Sequence, residues 1–170
     1  MDMASNLEIE KKYIIEYPDE EFLLSVPKCE CTEIEQIYLV SDSCVSERIR
    51  KRGAYGKYKY YHTVKRRINV YIREEDEKEI TEAEYNMLKR RANPSLNVIR
   101  KKRYVIPYKG YMLEIDVFPF WDKQAYLEIE LETVQDCPPV PEYIKCMCDV
   151  TNNEEYTNRA LAAKIPEQIL

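Results

Sequence analysis

Two stretches of this chain alternate so strictly that only an extended strand satisfies them. Leu113-Glu114-Ile115-Asp116-Val117, followed by Phe118, and Leu127-Glu128-Ile129-Glu130-Leu131-Glu132, preceded by Tyr126, place an apolar residue at every second position and a carboxylate between. Side chains of a strand point alternately to opposite faces, so each stretch has one oily face and one row of acids. A helix would scatter both sets around its circumference. The same period recurs in Tyr-, Val- and Ile-rich segments separated by turn signals. Strands are predicted at 6–15, 34–40, 45–53, 57–66, 68–79, 97–107, 111–118 and 124–132. Gly53 to Gly56 and Pro107 to Gly110 supply hairpin turns.

Helices are few. Thr81-Glu82-Ala83-Glu84 reads as an N-cap followed by an acidic first turn, with Asn93-Pro94 stopping the helix after about Arg91. A short helix is expected at 18–25, and helical pieces near 142–147 and 155–163, beyond the break Pro138-Pro139-Val140-Pro141. Eight antiparallel strands with few helices leave a sandwich or a closed barrel. At 170 residues the chain suits a single domain, 1–170, with its core at about 6–163.

The polar faces segregate by sign. In Glu8-Ile9-Glu10-Lys11-Lys12 the residues Glu8, Glu10 and Lys12 share a face, with successive carboxylates about 7 Å apart. That arrangement suits a hard divalent cation, and the lysine beyond suits an anion the cation would hold. The first, seventh and eighth strands carry acids. The third (Arg48, Arg50, Arg52), the fourth (Thr63, Lys65) and the sixth carry cations, Lys101 and Arg103 forming one set there and Arg100 and Lys102 the other. The run Arg73 to Glu79 reads in either parity. Solvated faces would mix signs within each strand. If the charged face turns inward, buried like charges need neutralising. A metal-bound polyphosphate does this for both walls, since cations bridge protein carboxylates and phosphate oxygens. The apolar faces then require helices or neighbouring protein to cover them.

Charged residues make up 34% of the chain and apolar ones 45%, too apolar for a disordered protein. The net charge of −5 excludes a global basic field for nucleic acid, so the basic clumps read as a local anion site. With three glycines there is no phosphate-cradling glycine loop. No signal peptide or membrane-spanning stretch is expected, which points to the cytoplasm and to six reduced cysteines. The pairs Cys29-Glu30-Cys31 and Cys146-Met147-Cys148 lack the spacing of structural zinc sites. His62, the only histidine, should face away from its neighbour Thr63, and Trp121 reads as a packing anchor.

Taken in order, Glu8-Ile9-Glu10-Lys11-Lys12, Gln36-Ile37-Tyr38-Leu39, Arg48-Ile49-Arg50, Thr63-Val64-Lys65, Glu77-Lys78-Glu79-Ile80, Ile99-Arg100-Lys101-Lys102-Arg103-Tyr104, and the two acidic strands resemble the motif set of the CYTH proteins, or triphosphate tunnel metalloenzymes. Asp149-Val150-Thr151 and Tyr156 to Ala162 resemble the ending of short bacterial members. The resemblance implies a mainly β (α+β) fold, an eight-stranded antiparallel β-barrel forming a tunnel with a few flanking helices. It implies Mg2+ or Mn2+ on Glu8, Glu10, Glu128 and Glu130, with Glu114 and Asp116 supporting that wall or binding a second metal. Lys12, Arg48, Arg50, Lys65, Lys101 and Arg103 would grip phosphates, and Lys12 and Tyr38 would steady the leaving phosphate. Glu8, Glu10, Lys12, Tyr38, Glu128 and Glu130 form the implied catalytic set.

The activity implied is metal-dependent hydrolysis of a triphosphate, first of all inorganic tripolyphosphate. Thiamine or nucleoside triphosphatase, class IV adenylyl cyclase and a non-catalytic polyphosphate-binding module are the alternatives. The expected partner is a small-molecule triphosphate, with no nucleic acid and no membrane, the chain acting as a monomer or homodimer.

Overall fold

A computed structural model of the chain describes residues 9–67, 73–133 and 135–169. Among them are nine strands, three short helices and one 3-10 turn. The strands are β1 (Ile9–Glu16), β2 (Glu30–Tyr38), β3 (Val45–Ala54), β4 (Lys57–Arg67), β5 (Arg73–Ile80), β6 (Ile99–Tyr108), β7 (Tyr111–Val117), β8 (Gln124–Leu131) and β9 (Cys146–Asp149). The helices are α1 (Glu20–Ser25), α2 (Glu82–Lys89) and α3 (Asn158–Ala163), with the 3-10 turn at Glu154–Tyr156.

The fold is mainly β, with one antiparallel sheet in the order β5-β4-β3-β2-β6-β7-β8-β1-β9. Two expectations are corrected. The strands number nine, not eight, and their hydrogen-bonded order is open, with β5 and β9 at its ends, rather than closed into a barrel. The helix expected near 142–147 is replaced by a turn and by β9, which pairs with the free side of β1. Tyr13 and Ile14 there take Asp149 and Cys148 as partners, so the backbone groups of this segment are satisfied by a ladder rather than by helical bonds. The segment 68–72 of the predicted fifth strand lies outside the described residues, as does Glu8.

The chain divides into two compact units, one formed by Ile34–Ile99 and the other by the described parts of Glu8–Glu33 and Arg100–Leu170. Each has the same internal logic. In the first, Ile37, Leu39 and Ile49 lie on one sheet face under α2, whose Tyr85 is buried against them beside Leu88. Thr81 caps α2 in a capping box with Glu84, as its sequence requires. In the second, Ile15, Ile106, Leu113, Ile115, Ala125, Leu127 and Ile129 form the oily face, covered by Leu23 of α1 and by Ile144. The cover demanded by the alternating pattern is therefore supplied within each unit.

The hairpins β3–β4 and β6–β7 turn through Tyr55-Gly56 and Lys109-Gly110. All four residues have positive φ (53°, 78°, 48° and 88°), the geometry whose twist matches paired strands. Glycine at the second position makes this conformation accessible without a Cβ clash. These turns set the register that brings Arg48 opposite Thr63 and Arg103 opposite Asp116.

Candidate active site

The second unit carries a charged face on the opposite side of the sheet from its core. β1 and β8 align Lys12 with Glu128 and Glu10 with Glu130. β7 and β8 align Glu114 with Glu128, and β6 and β7 align Arg103 with Asp116. Lys12, Lys101, Arg103, Asp116 and Glu128 are all buried. The Arg103 guanidinium lies at the centre. Its Nε and Nη2 donate to the two oxygens of Asp116, each at 2.7 Å, Nη2 also donates to Glu128 at 2.5 Å, and Nη1 donates to Glu114. Lys12 Nζ meets Glu128 at 2.8 Å, and Lys101 Nζ donates to Asp116. Three cations are thus interleaved with three carboxylates.

This placement refines the reading of charge. The β6 cations do not form a wall apart from the acids; they interdigitate with those of β7 and β8. The reason is electrostatic, since a buried ion is tolerated only when paired and hydrogen-bonded. Burial pulls the Lys12 ammonium downward in pKa, but Glu128, Glu10 and Asp116 outweigh it and hold the group above the ordinary lysine value. Burial pushes Glu128 up, and Lys101, Lys12 and Arg103 reverse this, holding it far below the usual carboxylate range. Glu114 differs. Burial raises it, Arg103 opposes, and the neighbouring Asp116 and Glu128 keep it above the ordinary glutamate value.

Glu10 and Glu130 stand directly opposite each other at the exposed end of this face. Like charges facing across strands destabilise a sheet unless a cation answers them. Their carboxylate oxygens fit a hard divalent ion. Among the described residues no three His, Cys, Asp or Glu side chains converge as a ready-made metal cage. Glu114, Asp116 and Glu128 are engaged by the protein's own cations.

The first unit has a charged face of its own, half-buried. Arg48, Arg50, Thr63 and Lys65 share it, and the β4–β5 register settles the parity left open by sequence: Glu75, Glu77 and Glu79 lie there too. Lys65 pairs with Glu75 at 2.5 Å, Arg48 reaches Glu75 at 3.5 Å, and Thr63 donates to Glu77 at 2.7 Å. Arg50 donates to the Gln36 carbonyl through Nη2 at 3.0 Å, and the Gln36 amide donates to the Tyr38 hydroxyl at 2.9 Å. Tyr38 and Gln36 are buried. The β5 acids were hidden in a run with carboxylates of both parities, and only the hairpin register separates them. Gln36 had a legible signal, its shared parity with Tyr38.

Sequence reasoning also missed the C-terminal contribution to the second unit. The Tyr156 carbonyl accepts from Lys12 Nζ at 3.3 Å, and Asn158 Oδ1 accepts from Lys101 Nζ at 3.5 Å. Among the singled-out residues, His62 faces the other side and meets Glu47 at 2.8 Å, while Trp121 packs on Phe118 and Tyr126. Lys102 also faces away and pairs with Glu20 at 2.9 Å. The six cysteines are free thiols. No helix among the described residues is long and apolar enough to cross a membrane.

The resemblance to the CYTH proteins, the triphosphate tunnel metalloenzymes, is supported by solved structures of similar fold. No protein-family model matches its sequence, and no curated protein does. Among solved structures it is similar to the inorganic triphosphatase NE1496, with 25% identity over 94% of this chain and 97% of that one and a TM-score of 0.60. A protein from Pyrococcus furiosus, Pfu-838710-001, shares 25% identity over 75% of this chain and 80% of its own, with a TM-score of 0.52. The PH1012 protein of Pyrococcus horikoshii OT3 shows the same fold at 23% identity over 75% of this chain and 80% of its own, with a TM-score of 0.54.

Proposed function

We propose that this chain is a metal-dependent triphosphatase, with inorganic tripolyphosphate as its first candidate substrate. The observation that carries the reading is the buried layer of Lys12, Lys101, Arg103, Asp116 and Glu128. Such a layer is a poor way to stabilise a fold, because apolar residues of similar volume would serve as well or better. It is a good way to hold a polyanion and its counterions. The similarity to an inorganic triphosphatase across nearly the whole chain supports the same reading.

Glu8, Glu10 and Glu130 would hold Mg2+ or Mn2+, with Glu114, Asp116 and Glu128 joining as Arg103 and the lysines exchange them for phosphate oxygens. An ion there would polarise phosphoryl oxygens as a Lewis acid. In the second unit Arg103 would present a forked donor to phosphoryl groups and Lys101 a point charge; in the first unit Arg48, Arg50 and Lys65 have the same donor chemistry for phosphate. Water attacks the terminal phosphorus in line, forming a new P–O bond as the anhydride P–O bond breaks. The electron pair of that bond leaves on the diphosphate. Lys12 would offset the charge growing on the leaving oxygen, a role the resemblance also gives to Tyr38, whose hydroxyl accepts from the Gln36 amide.

The test is phosphate release from tripolyphosphate with Mg2+ or Mn2+, alongside pyrophosphate, thiamine triphosphate and ATP. ATP reactions are also analysed for cyclic AMP. Turnover of tripolyphosphate that falls at least about a hundredfold in Glu10→Gln and Lys65→Ala is expected, the size of losing one transition-state charge contact. Full activity in both variants refutes the assignment. Tight binding without turnover would identify a polyphosphate-binding module instead.

A further inference from the structure

Tyr126 lies on β8 between Gln124 and Glu128, on the charged face of the second unit, and none of the roles above uses it. Its side chain is fully buried, yet its hydroxyl has no hydrogen-bond partner. A buried phenol usually finds one, and its absence leaves the ring as the part of this side chain that interacts. The ring is held edge-on by Phe118 at 5.4 Å, Trp121 at 5.1 Å and Tyr156 at 6.3 Å. Lys12 Nζ stands 5.2 Å from its centroid. Lys101 Nζ stands 5.7 Å from the centroid of Phe118, so both buried lysines of this face rest on one aromatic floor.

The polar contacts of the Lys12 ammonium are Glu128 at 2.8 Å and the Tyr156 carbonyl at 3.3 Å. Glu128 is shared, because its other oxygen takes Arg103. A shared carboxylate neutralises Lys12 but holds its direction weakly, since the long methylene stem can swing while staying paired, and the carbonyl bond is long. An aromatic face adds a further constraint. Its quadrupole attracts the ammonium from one side only, and the attraction is strongest where water is excluded.

We propose that Tyr126 is a positioning residue for Lys12, its ring pinning the ammonium in the direction needed on this face. The pinning itself is a property of the folded chain. Its effect on rate rests on the role given to Lys12 in the triphosphatase reading.

Two measurements on the full chain test this separately. In protein labelled at lysine, the Lys12 methylene and ammonium resonances are shifted upfield by the ring, identified by their loss in Lys12→Met. Tyr126→Phe keeps the shift; Tyr126→Leu and the longer, unbranched Tyr126→Met abolish it. If either Leu or Met folds and the shift persists, the inference is overturned. In tripolyphosphate hydrolysis, Tyr126→Leu or Tyr126→Met lowers kcat about tenfold with KM changed less than about twofold, while Tyr126→Phe stays within about threefold. In the Lys12→Met background the same substitutions add less than about twofold. A structural defect would lower activity equally in both backgrounds, and that result also overturns the proposal. If wild-type protein does not hydrolyse tripolyphosphate, the triphosphatase reading fails, and the resonance shift still decides whether Tyr126 holds Lys12.

Discussion

Replacing Arg103 by methionine removes one guanidinium and leaves three carboxylates facing each other. In the native chain Arg103 donates to Asp116 at 2.7 Å through two nitrogens, to Glu128 at 2.5 Å and to Glu114, with side-chain exposures of 11% for Arg103, 0% for Asp116 and 8% for Glu128. Methionine fills most of the stem's volume, so the loss is electrostatic rather than a cavity. Removing one partner of a buried pair costs about 3–5 kcal/mol. For a chain of this size that lowers Tm by roughly 6–20 °C, at about 2–4 °C per kcal/mol. The pH dependence has a definite sign. Glu114 is already held above its ordinary value by burial, and loss of Arg103 raises it further. A carboxyl whose folded pKa is raised favours the fold below its unfolded value and loses that contribution as pH rises. The deficit of Arg103→Met relative to wild type should therefore narrow as pH is lowered from 8 to 5. Urea and thermal unfolding followed by circular dichroism read both quantities. Added Mg2+ or Mn2+ should raise the Tm of the variant more than that of wild type, because the carboxylates that lost Arg103 then have a counterion. A loss under about 1 kcal/mol, or a deficit that stays constant with pH, would show that the carboxylate layer does not depend on Arg103.

Three further outcomes are expected. Glu75→Gln removes the carboxylate paired with Lys65 and reaching Arg48, and calorimetry should show tripolyphosphate binding about two- to fivefold tighter; weaker binding would mean that Glu75 does not compete with phosphate. Thr81→Ala breaks the capping box of α2 and should cost about 1 kcal/mol in urea unfolding; no change would detach α2 from the stability of the first unit. Glu20 accepts from Tyr104, Lys102 and Tyr17, and these bonds overcome the upward push of burial to lower its pKa. A lowered carboxylate stabilises above its unfolded value and loses this as pH falls. Glu20→Gln should thus cost about 1–2 kcal/mol at pH 7 and progressively less toward pH 3, and a deficit that grows on acidification would contradict this assignment.

What the sequence determined by itself was the local period and, through it, the faces. Alternation in 113–118 and 126–132 is a property of neighbours along the chain, and it correctly separated Glu114, Asp116, Glu128 and Glu130 from the core residues Leu113, Ile115, Leu127 and Ile129. The same holds for Arg48 and Arg50 against Ile49. Turn chemistry at Gly56 and Gly110 and the cap at Thr81 were equally local. Register and partnership were not. Whether Glu75 or Glu74 faces Lys65 depends on which residue lies across the β4–β5 ladder, and a shift of one position reverses every side chain. That Arg103 meets Asp116, Glu114 and Glu128, and that Lys12 meets the Tyr156 carbonyl 144 residues away, required strands distant in sequence to be brought side by side. The ninth strand shows the same limit. Cys146–Asp149 has no strong pattern of its own and is extended because the edge of β1 offers it hydrogen bonds. Charge sign could be read from composition, but which charge neutralises which was decided by the tertiary structure, because pairing energy depends on separation and burial, neither of which exists along an unfolded chain.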